Sequence, residues 1–171
     1  MAKEVTSPLL QLPDDARLTL NRWQAACPSG QLPNLEEFAP FRLPPPLIPF
    51  SMVYRRVSER ELVYGLVGEE LLFLFKENPR GKPVLGYASE SDRNDRYSII
   101  FRSFEERRPF WFSGSVLFKT TSIDFGRLGL PMQAKQHQSL LIVYFPSAPL
   151  PTPRPTELVT SKMEGLDVCW L

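Results

Sequence analysis

The glycine-containing segment "ELVYGLVGEELLFLFKENPRGKPVLGY", residues 61–87, is the first place where the sequence could do chemistry. A phosphate-binding loop needs glycines directly before a helix N-terminus, with a lysine and a serine or threonine at fixed positions. Gly68 is instead followed by Glu69 and Glu70, whose carboxylates would repel a phosphate. Neither the GxGxxG pattern nor the P-loop pattern occurs in the chain. The segment therefore does not predict nucleotide hydrolysis.

Other catalytic arrangements are equally poorly supported. The nearest approach to a nucleophile elbow, "FSGSVLF", lies inside a strand pattern. The single histidine, His137, has two open interpretations, an axial haem ligand or a partly exposed turn residue. Neighbouring carboxylates such as Glu105 and Glu106 point in different directions on a helix, so they do not form an acid and base couple. We expect no enzyme activity and no catalytic residues.

Composition narrows the class of protein further. The 171 residues favour one domain with extensions, and the hydrophobic fraction of 43% is enough for a core. Twenty basic and nineteen acidic residues give a net charge of +1, so no nucleic-acid partner is expected. Cys27, Cys169 and His137 cannot complete a zinc site by themselves, so no metal is expected. Two cysteines are too few for a disulfide scaffold, so a reducing cytoplasm is expected. No apolar run reaches about 18 residues, so no membrane insertion is expected.

The first predicted helix begins at Pro13, Asp14 and Asp15, with an aspartate as its N-cap. It carries one apolar stripe, in which the residues recur at i, i+4, i+7 and i+11. The stripe either packs on its own domain or contacts a partner, and the sequence does not decide between these alternatives. Its members are the candidate interface residues, Ala16, Leu20, Trp23 and Cys27.

The central region alternates between strand and helix patterns. Two strand patterns, "SMVYRRV" and "ELVYGLVG", form a predicted hairpin. A short apolar helix follows in "EELLFLFKENP", and then a longer helix that is capped by Ser89 or Ser91, with Asp92 and Arg96 on its solvated face. Three further strands are predicted in the segments "FWFSGSVLFKTT", "GRLGLPMQA" and "HQSLLIVYF". This order predicts an α+β fold, a five-stranded antiparallel sheet with helices on one face.

Four regions follow from this pattern. Residues 1–13 are an N-terminal tail, and residues 14–46 are the flanking helix with a proline-rich connector. Residues 47–145 are the folded domain, and residues 146–171 are a proline-rich C-terminal tail. The apolar end of that tail could dock on a neighbouring surface or serve as a recognition tag.

The segment "LVYGLVGEELLFLFKENPRGKPV", together with Trp23, Gly30 and "LP" at residues 32–33, resembles the single-domain PAS-like proteins of alphaproteobacteria. "LGLPM", residues 128–132, is similar to the fourth strand of that family. Gly65 and Lys76 depart from the family pattern, which has an arginine and a glycine at these places. The resemblance covers residues 23–145 and implies a PAS fold, a sensory or scaffolding role, and no catalytic residues.

Two functions follow from these patterns and the resemblance. The first is a non-catalytic regulatory protein that acts through contacts with other proteins, a homodimer included. Its outlets, meaning the surfaces through which it would contact partners, are the stripe on the first helix and the proline-rich segment from Pro146 to Pro155. The second is a sensor that binds a small apolar ligand or a cofactor, although neither haem nor flavin is expected. The candidate pocket residues are Phe101, Phe104, Phe112, Val116 and Phe118.

Overall fold

The structure is a computed structural model that describes residues 12–39, 42–86, 88–163 and 169–171. Three α-helices form: α1 (Asp14–Ala25), α2 (Leu35–Phe38) and α3 (Glu90–Glu106). Short 3-10 helices occupy Pro28–Gly30, Pro45–Phe50 and Glu69–Leu74. The strands are β1 (Ser51–Arg56), β2 (Leu62–Val67), β3 (Phe110–Phe118), β4 (Ser122–Gln133), β5 (Gln138–Pro146), β6 (Leu158–Met163) and β7 (Cys169–Trp170). None of the described helices is long and apolar enough to cross a membrane.

One antiparallel sheet contains all the described strands. Its order is β2, β1, β5, β4, β3 and β6, and β7 also pairs with β3. The predicted hairpin of β1 and β2, the two following helices and the next three strands are confirmed in kind and order. The predicted number of strands is wrong, because β6 and β7 come from the region that the sequence assigned to a C-terminal tail. The fold of the described residues is therefore α+β, with a sheet of seven strands.

One face of the sheet packs against α3. Tyr97, Ile100 and Phe104 of α3 are buried against side chains of β1 to β5. Phe110 and Val116 of β3 also point into this core, and they are 1% and 4% exposed. This face of β3 is therefore part of the core. Ser89 caps α3 by accepting a hydrogen bond from the backbone N–H of Asp92, as one of the two predicted caps.

The opposite face of the sheet is covered by α1 and α2. Ala16, Leu20 and Trp23 are 0%, 1% and 5% exposed and pack against Leu128, Leu130 and Met132 of β4. Cys27 is half-buried at the edge of the same cluster. The prediction of helices on one face only is wrong, because β4 and β5 are apolar on both faces and each face needs a cover.

The stripe on α1 thus packs on its own domain. The indole N–H of Trp23 donates a buried hydrogen bond of 2.9 Å to the carbonyl of Pro131 in β4. The candidate interface residues Ala16, Leu20 and Trp23 are therefore inside the protein, and they offer no surface to a partner in this arrangement. The N-cap of α1 is Pro13 without a side-chain bond, and the aspartates predicted as caps lie in the first turn.

The C-terminal region is part of the sheet. β6 pairs with β3 along Gly114–Phe118, and β7 pairs with Phe110 and Trp111. The ring of Trp170 lies 5.9 Å from that of Phe110, centroid to centroid. The apolar end of the chain therefore docks on its own sheet, although Val168 lies outside the described residues.

Tyr97 gives the fold a dependence on alkaline pH. Its hydroxyl donates to the carbonyl of Val84 at 2.8 Å, and burial raises the pKa of this phenol above its usual value of 10.0. A raised pKa in the folded state means stability that is fully present below about pH 10 and is lost as the pH rises further.

We expect Tyr97→Phe to reduce the unfolding free energy by about 1 kcal/mol at pH near 8. The difference from the wild type should shrink above about pH 10, because the phenolate can no longer donate. Urea unfolding of both proteins across this range measures it. A difference that stays constant with pH would contradict the role given to this hydroxyl.

Candidate functional site

A small cavity lies between the sheet and α3. Its volume is about 50 Å³. One water-sized group needs about 10 to 15 Å³ of such space, so the cavity has room for roughly four. A drug-sized ligand needs a pocket of about 300 to 1,000 Å³, so the cavity as it stands fits only a very small molecule. We call it the sheet-helix cavity.

Most of the cavity wall is apolar, and it comes from the sheet and α3 together. Its apolar members include Met52, Leu85, Ile100, Phe110, Val116 and Ile142. The ring of Tyr64 also lines it, and the Tyr64 hydroxyl accepts a hydrogen bond of 3.2 Å from the backbone N–H of Leu85. This bond fixes the loop between β2 and α3 against the wall.

The structure divides the predicted pocket residues. Phe112 and Val116 line the sheet-helix cavity. Phe118 stacks on Phe73, and Phe101 and Phe104 lie next to the guanidinium of Arg56 at 4.9 and 5.8 Å. These three belong to the surrounding core. Two of the five candidate pocket residues thus lie in the cavity wall, and both belong to β3.

Arg127 is the unexpected member of the wall. Its side chain is 4% exposed, in the middle of β4. Its strand partners are Phe112 on β3 and Tyr144 on β5, so the guanidinium lies between their rings, at 5.1 and 5.0 Å from the centroids. The ring of Phe125 is 5.8 Å away. Three aromatic rings thus surround one buried cation.

Arg127 has no acidic partner in the part of the chain that the structure describes. Neither the ion pairs nor the side-chain hydrogen bonds of the described residues include its guanidinium. An arginine stays protonated in proteins, and removing its charge from water without a counter-charge is costly. Each cation-π contact offsets roughly 0.5 to 2 kcal/mol of that cost.

Arg96 of α3 is the second charged residue in the wall. Its guanidinium donates to the hydroxyl of Ser161 in β6 at 2.7 Å and also to the Ser161 carbonyl. The helix position assigned to solvent in the sequence is therefore half-buried and ties α3 to the last long strand. Among the described residues that line the cavity, Arg96 and Arg127 are the charged ones, and none is acidic.

The other side chains that could do chemistry, one histidine and two cysteines, lie outside the cavity wall. His137 is half-buried in the turn between β4 and β5, outside the cavity wall. Burial raises the pKa of the Cys27 and Cys169 thiols, which makes both less reactive at neutral pH. Within the described ranges, no three His, Cys, Asp or Glu side chains cluster as metal ligands.

A wider groove lies on the other face of the sheet, with a volume of about 820 Å³. Trp111 lines it together with Asp14 and Asp15, and both aspartates are exposed to solvent. The two aspartates are the charged groups among the described residues that line it. The sheet-helix cavity is therefore the stronger candidate site.

No protein family, no curated protein and no solved structure matches this chain.

The strand pattern around Arg127 contained a signal that this residue faces the core. Ile123, Phe125 and Arg127 alternate on one face of β4, so a single charge follows two apolar residues that point inward. A charged residue at such a position either lies at the sheet edge, in contact with water, or is buried and serves a structural or binding role. Only the pairing of β4 with β3 and β5 shows that it is central.

Proposed function

We propose that this protein is a non-catalytic, PAS-like sensor that binds a small molecule in the sheet-helix cavity. The observation that carries the proposal is the unpartnered guanidinium of Arg127 in the wall of an otherwise apolar cavity. Ligand sites are typically apolar pockets with a few polar groups at defined positions. A buried charge without a partner lowers the stability of the fold unless a ligand of opposite charge binds to it.

The order of elements supports the PAS-like part of the proposal. Two strands, a short helix, a longer helix and three strands follow each other between Ser51 and Pro146. The resemblance in residues 23–145 implies the same kind of domain. The two additional strands at its edge distinguish this chain from the predicted five-stranded form.

Arg96 supplies a route from the cavity to the surface. It lines the cavity and also holds Ser161 of β6. A ligand that attracts this guanidinium would compete with Ser161 and loosen α3 from the edge strand. Arg154, just before β6, is held by Glu70 at 2.5 Å, so the proline-rich segment is tied to the same end of the domain.

The experiment is a titration of the isotope-labelled full chain, followed by amide NMR signals. Three probes of about the size of the cavity are added separately: propionate, propionamide and propylammonium. We expect at least one of them to shift the signals of Phe112, Val116 and Arg127 in a saturable way. Shifts should also reach β6 if Arg96 relays the binding.

Val116→Phe fills the cavity and should abolish these shifts, because its side chain points into the cavity. Leu117→Phe is the matched control, since the adjacent residue of a strand points to the opposite face and this one is only half-buried. Circular dichroism establishes that both variants fold. If none of the three probes binds to the wild type, the proposal is overturned.

We also propose that the protein acts in the cytoplasm and passes its signal on through contacts with other proteins or with a second copy of itself. The proline-rich segment supports this second part, because Thr152 and Pro153 are exposed to solvent. Light scattering and affinity capture by the full chain, compared with a variant in which Pro149, Pro151 and Pro153 are alanine, test this outlet. Identical assembly and capture by the two proteins would eliminate it.

A further inference from the structure

The charge of the sheet-helix cavity determines which ligand it would accept. Arg127 is 4% exposed and has no acidic partner among the described residues, and Arg96 lines the same space. No carboxylate of a described residue lies in the wall. A neutral ligand would leave the charge of Arg127 uncompensated, and a cation would be repelled by both guanidinium groups.

We propose that the ligand is a small organic anion, a short-chain monocarboxylate whose carboxylate lies against Arg127. This inference rests on the proposed function and specifies its ligand class. The planar guanidinium offers paired N–H donors that match the two oxygens of a carboxylate. The apolar wall, which includes Met52 and Ile142, receives the alkyl part.

The cavity size limits the length of that alkyl part. A volume of about 50 Å³ has room for roughly four water-sized groups. Acetate, with about four non-hydrogen atoms, fits this space, propionate with about five marks its upper limit, and a long fatty acid does not fit. An inorganic anion would fit too, but it would leave the apolar wall without a partner.

The aromatic surroundings of Arg127 explain why the site can exist without its ligand. Phe112, Phe125 and Tyr144 present their ring faces to the guanidinium, and a ring face carries partial negative charge. The rings stabilise the cation but accept none of its N–H groups as a carboxylate would. They therefore keep the arginine in place and leave its donors for the ligand.

Isothermal titration calorimetry of the full chain with propionate and with propionamide tests the inference. The two probes have the same shape and differ in charge, so the wild type alone decides the central point. We expect propionate to bind at least about thirtyfold more tightly, as the loss of a buried, hydrogen-bonded charge pair implies. Propylammonium should not bind.

Arg127→Met should reduce the affinity for propionate by the same factor, and Arg127→Lys, which retains the charge but not the planar donors, should fall between. Arg60→Met, at an exposed arginine in the turn between β1 and β2, is the control and should bind as the wild type does. The thermal midpoint of Arg127→Met should equal or exceed that of the wild type, because an unpaired charge is replaced by an apolar chain.

Three results would overturn the inference. These are equal affinities for propionate and propionamide, unchanged propionate binding by Arg127→Met, and a clearly lower thermal midpoint of that variant, which would mark the arginine as a structural element. Binding of propionamide in the cavity with equal or higher affinity would leave the sensor proposal intact. Absence of binding by all three probes would overturn both.

Discussion

Replacing Gly68 by alanine is expected to lower the unfolding free energy by more than about 3 kcal/mol, which is the range of severe packing defects. A Cβ atom at this position would lie 2.2 Å from the carbonyl oxygen of Pro49 and 2.5 Å from its carbonyl carbon. Both are backbone atoms of the 3-10 helix Pro45–Phe50, so no side-chain rotation relieves the clash. The backbone N–H of Gly68 also donates to the carbonyl of Ser51 at 2.7 Å.

Gly86→Ala is the matched control for this substitution. Its Cβ would meet the Pro83 carbonyl oxygen at 3.4 Å, an ordinary contact, and its backbone does not need a positive φ. Guanidinium chloride unfolding of both variants and the wild type measures the two free energies. Similar losses for both would show that the close approach at Gly68 is not what requires a glycine.

Gly68 also corrects an expectation about the glycines of residues 61–87. Gly68 and Gly81 flank the short apolar helix in the sequence, and this spacing predicts hinges that use the backbone freedom of glycine. Gly81 fits this explanation, with φ of +79°. Gly68 has φ of −64°, which any residue adopts, and it is a glycine because a neighbouring backbone lies against it.

Replacing Trp23 by alanine is expected to lower the unfolding free energy by about 3 to 5 kcal/mol. The indole is 5% exposed and fills the space between α1 and β4. Its removal leaves a cavity and also leaves the carbonyl of Pro131 without its donor, which adds a desolvation cost. The same unfolding measurement detects the change.

Leu18→Ala is the control on the same helix, because Leu18 is 42% exposed on the opposite side of α1. Its loss should remain within about 0.5 kcal/mol. Trp23→Phe separates packing from hydrogen bonding, since it retains an aromatic ring and loses the N–H. If Trp23→Ala and Leu18→Ala destabilise equally, the assignment of the α1 stripe to the core is wrong.

Local sequence patterns predicted most of the secondary structure. The alternation in β3, the apolar spacing in α3 and the serine before it each depend on residues within a few positions of one another, and all three appear in the structure. Such signals survive because backbone hydrogen bonding and side-chain direction repeat over short distances.

The cover on the second face of the sheet could not be assigned from these local patterns. The stripe on α1 is apolar whether it contacts a partner or its own domain. The strand on which it packs, β4, lies more than 100 residues further along the chain, as the bond between Trp23 and Pro131 shows. The continuous apolar run in β5 was a sign that both faces are buried.

The sequence by itself determined that this chain forms an α+β sheet protein, because residue spacing controls which side chains share a face of a helix or strand. Only the tertiary structure decided that β6 and β7 complete the sheet and that Arg127 lies in a cavity wall. These depend on the order in which distant strands pair. An arginine on a strand is an edge residue or a buried cation according to its neighbours, and the pairing with Phe112 and Tyr144 makes Arg127 the second.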